Sequence, residues 1–121
     1  MLDFKQIIND SIDVKTKILH HCLNDIESAS DMLIKAVKEG NKGDVLIAIS
    51  TSGNSKNVIR AIETAKEKRI RVIILTGKSG GNMVNSGNIN ICIPSEDTQR
   101  IQEGHLMVEH ILCESIESSI I

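Results

Sequence analysis

The first forty residues carry hydrophobic positions at helical spacing. Phe4, Ile7, Ile8, Ile12, Ile18, Leu19 and Cys22 predict an amphipathic helix from Met1 to about Leu23. His20 and His21 close its last turns, where partial positive charge suits the helix dipole. Adjacent side chains diverge on a helix, so this pair does not read as a metal site. Asn24 and Asp25 suit the end of one helix and the cap of the next. Ile26, Ala29, Met32, Leu33, Ala36 and Val37 then form a second stripe, with Gly40-Asn41 as its C-cap. So short a break predicts a helical hairpin, or two helices packed on a partner chain.

From Gly43 the period changes. Val45-Leu46-Ile47-Ala48-Ile49 is an apolar run without alternation, the pattern of a strand buried on both faces of a parallel sheet. Val58, Ile59, Ile62 and Ala65 predict a helix over Lys56 to Lys68. Val72 to Thr76 reads as a second buried strand, at the right distance for a right-handed βαβ crossover. Gly77 to Gly81 is a glycine-rich loop, and Met83-Val84 suits one helical turn. Ile89 to Ile93 alternates as a third strand and Pro94 stops it. Ser95 or Asp97 caps a long last helix with the stripe Ile101, Leu106 (or His105), Val108, Ile111, Leu112 and Ile116.

The candidate chemistry lies between the first strand and the helix that follows. Ser50-Thr51-Ser52-Gly53-Asn54-Ser55 places four hydroxyls at the carboxyl end of a strand and the amino end of a helix. Open α/β sheets bind ligands at that edge. A helix start offers unpaired N–H groups and a positive dipole end, and both favour an anion. Gly53 lets the backbone turn and approach a ligand. One hydroxyl would be an ordinary cap; four favour a phosphate monoester. The Walker and dinucleotide patterns are both absent.

Composition narrows the field. A chain of 121 residues allows one domain with a modest core. Its 14 basic and 16 acidic residues are dispersed, so nucleic acid is not an expected partner. The apolar runs are too short for a membrane span, and the start has no leader-like apolar core. Cys22, Cys92 and Cys113 fit no zinc or disulfide pattern, and reduced thiols predict a cytoplasmic protein. Phe4 is the one aromatic residue, so the core is aliphatic.

The stretch DVLIAISTSGNSKNVIRAIETAKEKRIRVIILTGKSGG, followed by Gln99-Arg100-Ile101-Gln102-Glu103 and a helical His110, closely resembles the phosphoheptose isomerases of the sugar isomerase (SIS) domain proteins. The resemblance is good from Gly43 onward and looser over Met1 to Lys42. It implies a single α/β SIS-type domain of three layers around a parallel, flavodoxin-like sheet: helices over 1–42, then a βαβ core with a long C-terminal helix over 43–121. It implies sugar-phosphate binding by Ser50, Thr51, Ser52, Ser55 and Gln102, zinc held by Gln102 and His110, and an acid/base role for His110. The implied reaction interconverts sedoheptulose 7-phosphate and D-glycero-D-manno-heptose 7-phosphate through an enediol, in lipopolysaccharide heptose biosynthesis. The implied assembly is a homotetramer built partly by the N-terminal helices.

Two departures stand against that pattern. Gln99 replaces a common aspartate. Lys42 runs straight into Gly43, where the family has a strand, a GNGGS loop, a helix with an active-site histidine and glutamate, and another strand. Without them Val45 to Ile49 becomes an exposed apolar edge, and two zinc ligands from one helix hold the metal poorly. The chain alone is then expected to be poorly stable or completed by another chain. The alternative function is a non-catalytic SIS module that binds sugar phosphate or a protein. A regulatory sensor joined to a DNA-binding segment is a third class, and no such segment is present.

Overall fold

A computed structural model describes residues 1–39 and 44–120. Helix α1 (Phe4–His21) starts at Asp3, whose carboxylate accepts the Gln6 N–H at 3.1 Å. Helix α2 (Leu23–Glu39) follows after Cys22 alone. Cys22 keeps φ −115° and ψ −7°, its N–H bonds the Ile18 carbonyl, and its own carbonyl accepts from Ile26. The junction is therefore a bend, not the loop expected at Asn24-Asp25, which lies inside α2. The expected Gly40-Asn41 cap lies outside the described residues.

Strands β1 (Val45–Ile49), β2 (Arg71–Gly77) and β3 (Ile89–Ile93) form one parallel sheet in the order β1-β2-β3. Val45 pairs with Arg71, and Ile73 with Ile89. Helix α3 (Lys56–Glu67) covers one face. Helices α1, α2 and α4 (Thr98–Ile120) cover the other. The period of two in β2 divides its side chains between these layers. Ile73 and Leu75 pack with Ile18, Ile101 and Val108; Val72 and Ile74 pack with Ile62, Ala65 and Met83. The connection from β2 to β3 has no α-helix, only the short 3₁₀ turn Gly81–Met83. Among the described residues, no helix is long and apolar enough to cross a membrane.

The strand expected to be buried on both faces is an edge. In β1 only Ala48 is buried, while Ile47 and Ile49 are 38% and 40% exposed. They share the α4 side of the sheet by alternation, and among the described residues neither packs into the cluster on that side. The exposed-edge expectation for a shortened chain is met.

The stripe of α1 is also redrawn. Val14, Ile18 and Cys22 enter the core, whereas Phe4, Ile8, Ile12 and Leu19 are exposed. Helix α1 packs mainly across other helices and reaches the sheet's core only through its inner side chains, so only a narrow seam is covered. In α4, His105 is buried and Leu106 exposed.

Gly77 brings α4 against the sheet. A Cβ added there would fall 2.5 Å from two carbons of Ile101, which is fully buried. We expect Gly77→Ala to cost about 1–3 kcal/mol, the usual range for overpacking a tight core. Combining it with Ile101→Ala should cost less than the two separate losses added together, because the truncation makes room for the methyl. Urea unfolding of the three variants checks this. Strict additivity would show that the contact does not set the position of α4.

Candidate functional site

The hydroxyl loop is built from its backbone outward. The Ser50 N–H donates to the Leu75 carbonyl at 3.0 Å and carries the sheet ladder one residue past β1. The chain then turns. Gly53 has φ +73°, and its N–H donates to both the carbonyl and the Oγ of Ser50, each at 3.2 Å. Gly53 lies so close to the next loop that an added Cβ would fall 1.8 Å from the Gly80 carbonyl oxygen. The Met83 N–H donates to the Gly53 carbonyl at 3.1 Å, and the Asn82 N–H to Asn54 Oδ1 at 2.8 Å. The loops after β1 and β2 therefore form one interlocked unit at the carboxyl edge.

That unit leaves donors available. Ser50 and Ser52 use their oxygens as acceptors, from Gly53 and Asn54, so each hydroxyl proton remains to be donated. Ser55 occupies the N-cap of α3, yet its side chain makes no capping bond. The first intrahelical bond runs from Ile59 to Ser55, so the N–H groups of Lys56, Asn57 and Val58 precede the helical ladder. The geometry gives Ser52 and Asn54 to loop structure and leaves the start of α3 facing outward.

Helix α4 starts at Asp97, which accepts from Gln99 N at 3.1 Å and from Ile101 N at 2.9 Å. The five residues after Thr98 have divided roles. Arg100 and Glu103 form an ion pair. Glu103 also accepts from Ser11 Oγ at 2.9 Å, and Arg100 donates to the Ile7 carbonyl at 3.3 Å, which ties α1 to α4. Ile101 fills the space beside Gly77. Gln102 is exposed, near the same carboxyl edge as the hydroxyl loop.

His105 is the buried titratable group of the helix. Its Nε2–H donates to the Thr76 carbonyl at 2.8 Å. Burial lowers its pKa below the usual histidine value, against the opposing effects of the Thr76 bond and the Glu109 charge. Cys22 is also shifted. Its pKa is pushed up to about 11 by burial, then by Asp25 and Cys92, so it is a protonated core thiol.

His110 stands apart from the loop. It is exposed and lines a pocket of about 250 Å³ with Lys15, Glu103, Leu106 and Met107. Gln102 and His110 are eight residues apart, about 12 Å along the axis. Thus the structure joins Ser50, Thr51, Ser52 and Ser55 in one loop and sets Gln102 near that edge. It does not bring His110 into the same pocket lining. Among the described residues, no group of three or more His, Cys, Asp or Glu side chains could hold a metal ion. The residues present do not by themselves fit a zinc centre. Sequence reasoning passed over Asn54, Gly80 and Gly81 as loop braces and Lys15 and Glu103 as neighbours of His110. The Arg100/Glu103 spacing of three was the one local signal available.

Fold and site together define a parallel α/β domain with a hydroxyl-lined loop at the carboxyl edge of its sheet. Residues 13–109 match the SIS domain family, and the chain belongs to that family. A phosphoheptose isomerase of Clostridium acetobutylicum is 40% identical over 119 residues, covering 98% of this chain and 61% of its own. One from Helicobacter pylori strain P12 is 41% identical over 116 residues, covering 96% and 60%. The chain spans about 60% of the length of these two relatives. A solved phosphoheptose isomerase from Francisella tularensis superposes with a TM-score of 0.88 at 22% identity, covering 98% of this chain and 100% of that one. The phosphoheptose isomerase of Neisseria gonorrhoeae gives 0.83 at 22% identity, covering 93% and 97%. At that identity the superpositions establish the shared fold.

Burial of neutral His105 fixes the sign of one pH effect. Its folded pKa lies below its unfolded pKa, so the unfolded chain takes up the proton first as pH falls. The contribution is fully present above about pH 6.5 and is lost on acidification below it. We expect the urea midpoint to fall between pH 7 and pH 5, and the slope to shrink in His105→Gln. Parallel slopes would assign the acid sensitivity to other groups.

Proposed function

We propose that this chain is a sugar-phosphate isomerase of the phosphoheptose isomerase type, acting on sedoheptulose 7-phosphate to give D-glycero-D-manno-heptose 7-phosphate. The observation that carries the reading is the hydroxyl loop at the outward-facing start of α3, in an SIS domain chain 40% identical to a phosphoheptose isomerase over 98% of its length. Ser50, Thr51, Ser52 and Ser55, with the first N–H groups of α3, bind the phosphate, and the dipole of α3 stabilises its charge. Gln102 contacts the sugar from the start of α4. His110 is the acid/base group. A base takes a proton from C1 of the ketose while the C2 oxygen gains one, giving an enediol. Return of a proton to C2, with loss of the O1 proton, gives the aldose.

The supporting geometry is incomplete around His110. The carboxylate lining its pocket, Glu103, is already held by Arg100 and Ser11. A second acid/base group and further zinc donors must come from beyond the described residues, so no step is routed through the metal. Among the described residues the outer edge of β1 is unpaired, and it is the natural place for the missing elements. The same reading places the protein in the cytoplasm as a homo-oligomer, a tetramer by family, with the apolar stripe Phe4, Ile8, Ile12 and Leu19 in a contact between copies.

Two experiments test these points. Incubation with sedoheptulose 7-phosphate should yield the aldose phosphate. His110→Asn should lower turnover by at least about a hundredfold, the lower range for a positioned acid/base group, while sugar-phosphate binding persists. Binding without turnover in the parent chain would overturn the isomerase reading in favour of a binding module. Separately, Ile8→Lys with Ile12→Lys should reduce the mass measured by light scattering, since two charges on an apolar contact are strongly unfavourable. An unchanged mass would remove α1 from the interface.

A further inference from the structure

The sheet order β1-β2-β3 leaves the outer edge of β1 unpaired among the described residues. One bond gives the direction of its backbone groups. The Ser50 N–H donates to the Leu75 carbonyl, toward β2. Backbone groups alternate along a strand, so Leu46 and Ala48 also bond toward β2. The N–H and C=O groups of Val45, Ile47 and Ile49 therefore point away from the sheet.

This edge lacks the usual protection. Sheet edges are commonly blunted by a lysine, a proline, an inward-facing charge or a bulge. Val45-Leu46-Ile47-Ala48-Ile49 contains no such residue, and its register with β2 runs unbroken from Val45 to Ile49. Ile47 and Ile49 are exposed beside the open backbone. No other described stretch of the chain can supply a neighbour. β2 and β3 are already paired with one another, and the remaining apolar stripes belong to helices. The neighbour must come from another molecule.

The strand is complementary to itself. A two-fold axis normal to the sheet sets two copies of β1 antiparallel, with each residue on the same face in both. Pairing centred on Ile47 puts Ile47 opposite itself, Val45 opposite Ile49, and Leu46 opposite Ala48. The outward-pointing residues then all meet one another and exchange both of their N–H···O bonds. Centring on Leu46 carries Ile49 past the end of the facing strand, and centring on Ala48 does the same to Val45. On the α4 face the Ile47-centred pairs join β-branched residues, a favourable cross-strand combination. On the α3 face a large residue meets a small one. Asp44, just before the strand, falls opposite Ser50 of the second copy and not opposite another Asp44. No like charges face each other. A foreign strand would need this match by chance, whereas a second copy carries it by symmetry.

We propose that β1 pairs with β1 of a second copy, antiparallel about Ile47, to make one continuous sheet across a two-fold axis. The contact uses up the β1 edge of both copies, so it closes as a dimer and does not propagate. It rests on the edge alone and not on the isomerase reading, and it is separate from the apolar stripe of α1.

Hydrogen exchange read by amide NMR, with sedimentation of the purified chain, tests the pairing. The amides of Val45, Ile47 and Ile49 should exchange slowly in the dimer, and at least about tenfold faster on dilution to monomer. This measurement needs no variant. Ile47→Lys, at an exposed position, sets two like charges opposite each other and should raise the dimer dissociation constant at least about tenfold. Ile47→Asp should do the same. Mixing the two variants should restore the dimer, because residue 47 faces its own copy. Protection of the three amides should persist in Ile8→Lys with Ile12→Lys, which separates this contact from one through α1. Fast exchange of the three amides at every concentration, their protection in a chain that sediments as a monomer, an unchanged dissociation constant for Ile47→Lys, or failure of the mixture to restore the dimer would each overturn the proposal.

Discussion

The docking of α4 on the carboxyl end of β2 is the contact on which the rest of the structure depends. It is made by a missing side chain and one hydrogen bond. Gly77 has no Cβ, so Ile101 lies directly on the strand. One turn later, neutral His105 donates to the Thr76 carbonyl. These contacts fix the start of α4 and with it the exposed Gln102. Arg100 and Glu103, at the same level, then hold α1. The loop after Gly77 is aimed by the same strand end, and it carries the Gly80 carbonyl against Gly53. Thus the hydroxyl loop, the last helix and the first helix take their positions from one place on β2.

Much of this was legible in the sequence, and the physical reason differs by element. β2 and β3 followed from short β-branched runs bounded by turn residues, because their environment is the one such runs imply. The hydroxyl loop was legible because its chemistry is local: four hydroxyls and a glycine between a strand and a helix. The α1 stripe was not, because helical period reports which residues are apolar and not which of two apolar seams meets the core. Val14 and Ile18 meet it; Phe4, Ile8 and Ile12 do not. The burial of β1 was misread on the run alone, since an edge and a centre strand share one composition and differ in their neighbours. Its edge position followed only from the resemblance, whose members carry further elements where Lys42 here meets Gly43 directly.

The motif Gln99 to Glu103 shows how resemblance and structure divide the work. As a string it points to one family. In the fold, Arg100, Ile101 and Glu103 are occupied by packing and pairing, and the side chains of Gln99 and Gln102 remain exposed. A residue can mark a family because it holds the scaffold of a site, with no contact to substrate. The same distinction separates the two histidines of α4. His105 is buried, bonded and kept neutral; His110 is exposed beside a lysine and an already paired glutamate. Burial and hydrogen bonding draw attention to His105, the resemblance to His110.

The two edges of the sheet make opposite use of helix α3. At its start, backbone N–H groups and neutral hydroxyls offer many short donors without a formal charge of their own, apart from Lys56 at the rim. Such a cradle suits a phosphate ester that must also leave, because its affinity comes from geometry. At its end, the dipole is reversed, and Lys66 stands in the last turn. Attraction there is longer in range and less exacting in geometry. The two ends of the helix differ in sign, and the short β2–β3 connection braces the start. Asn82 and Met83 hold the hydroxyl loop, while Asn88 is fixed to Val72 at the other edge.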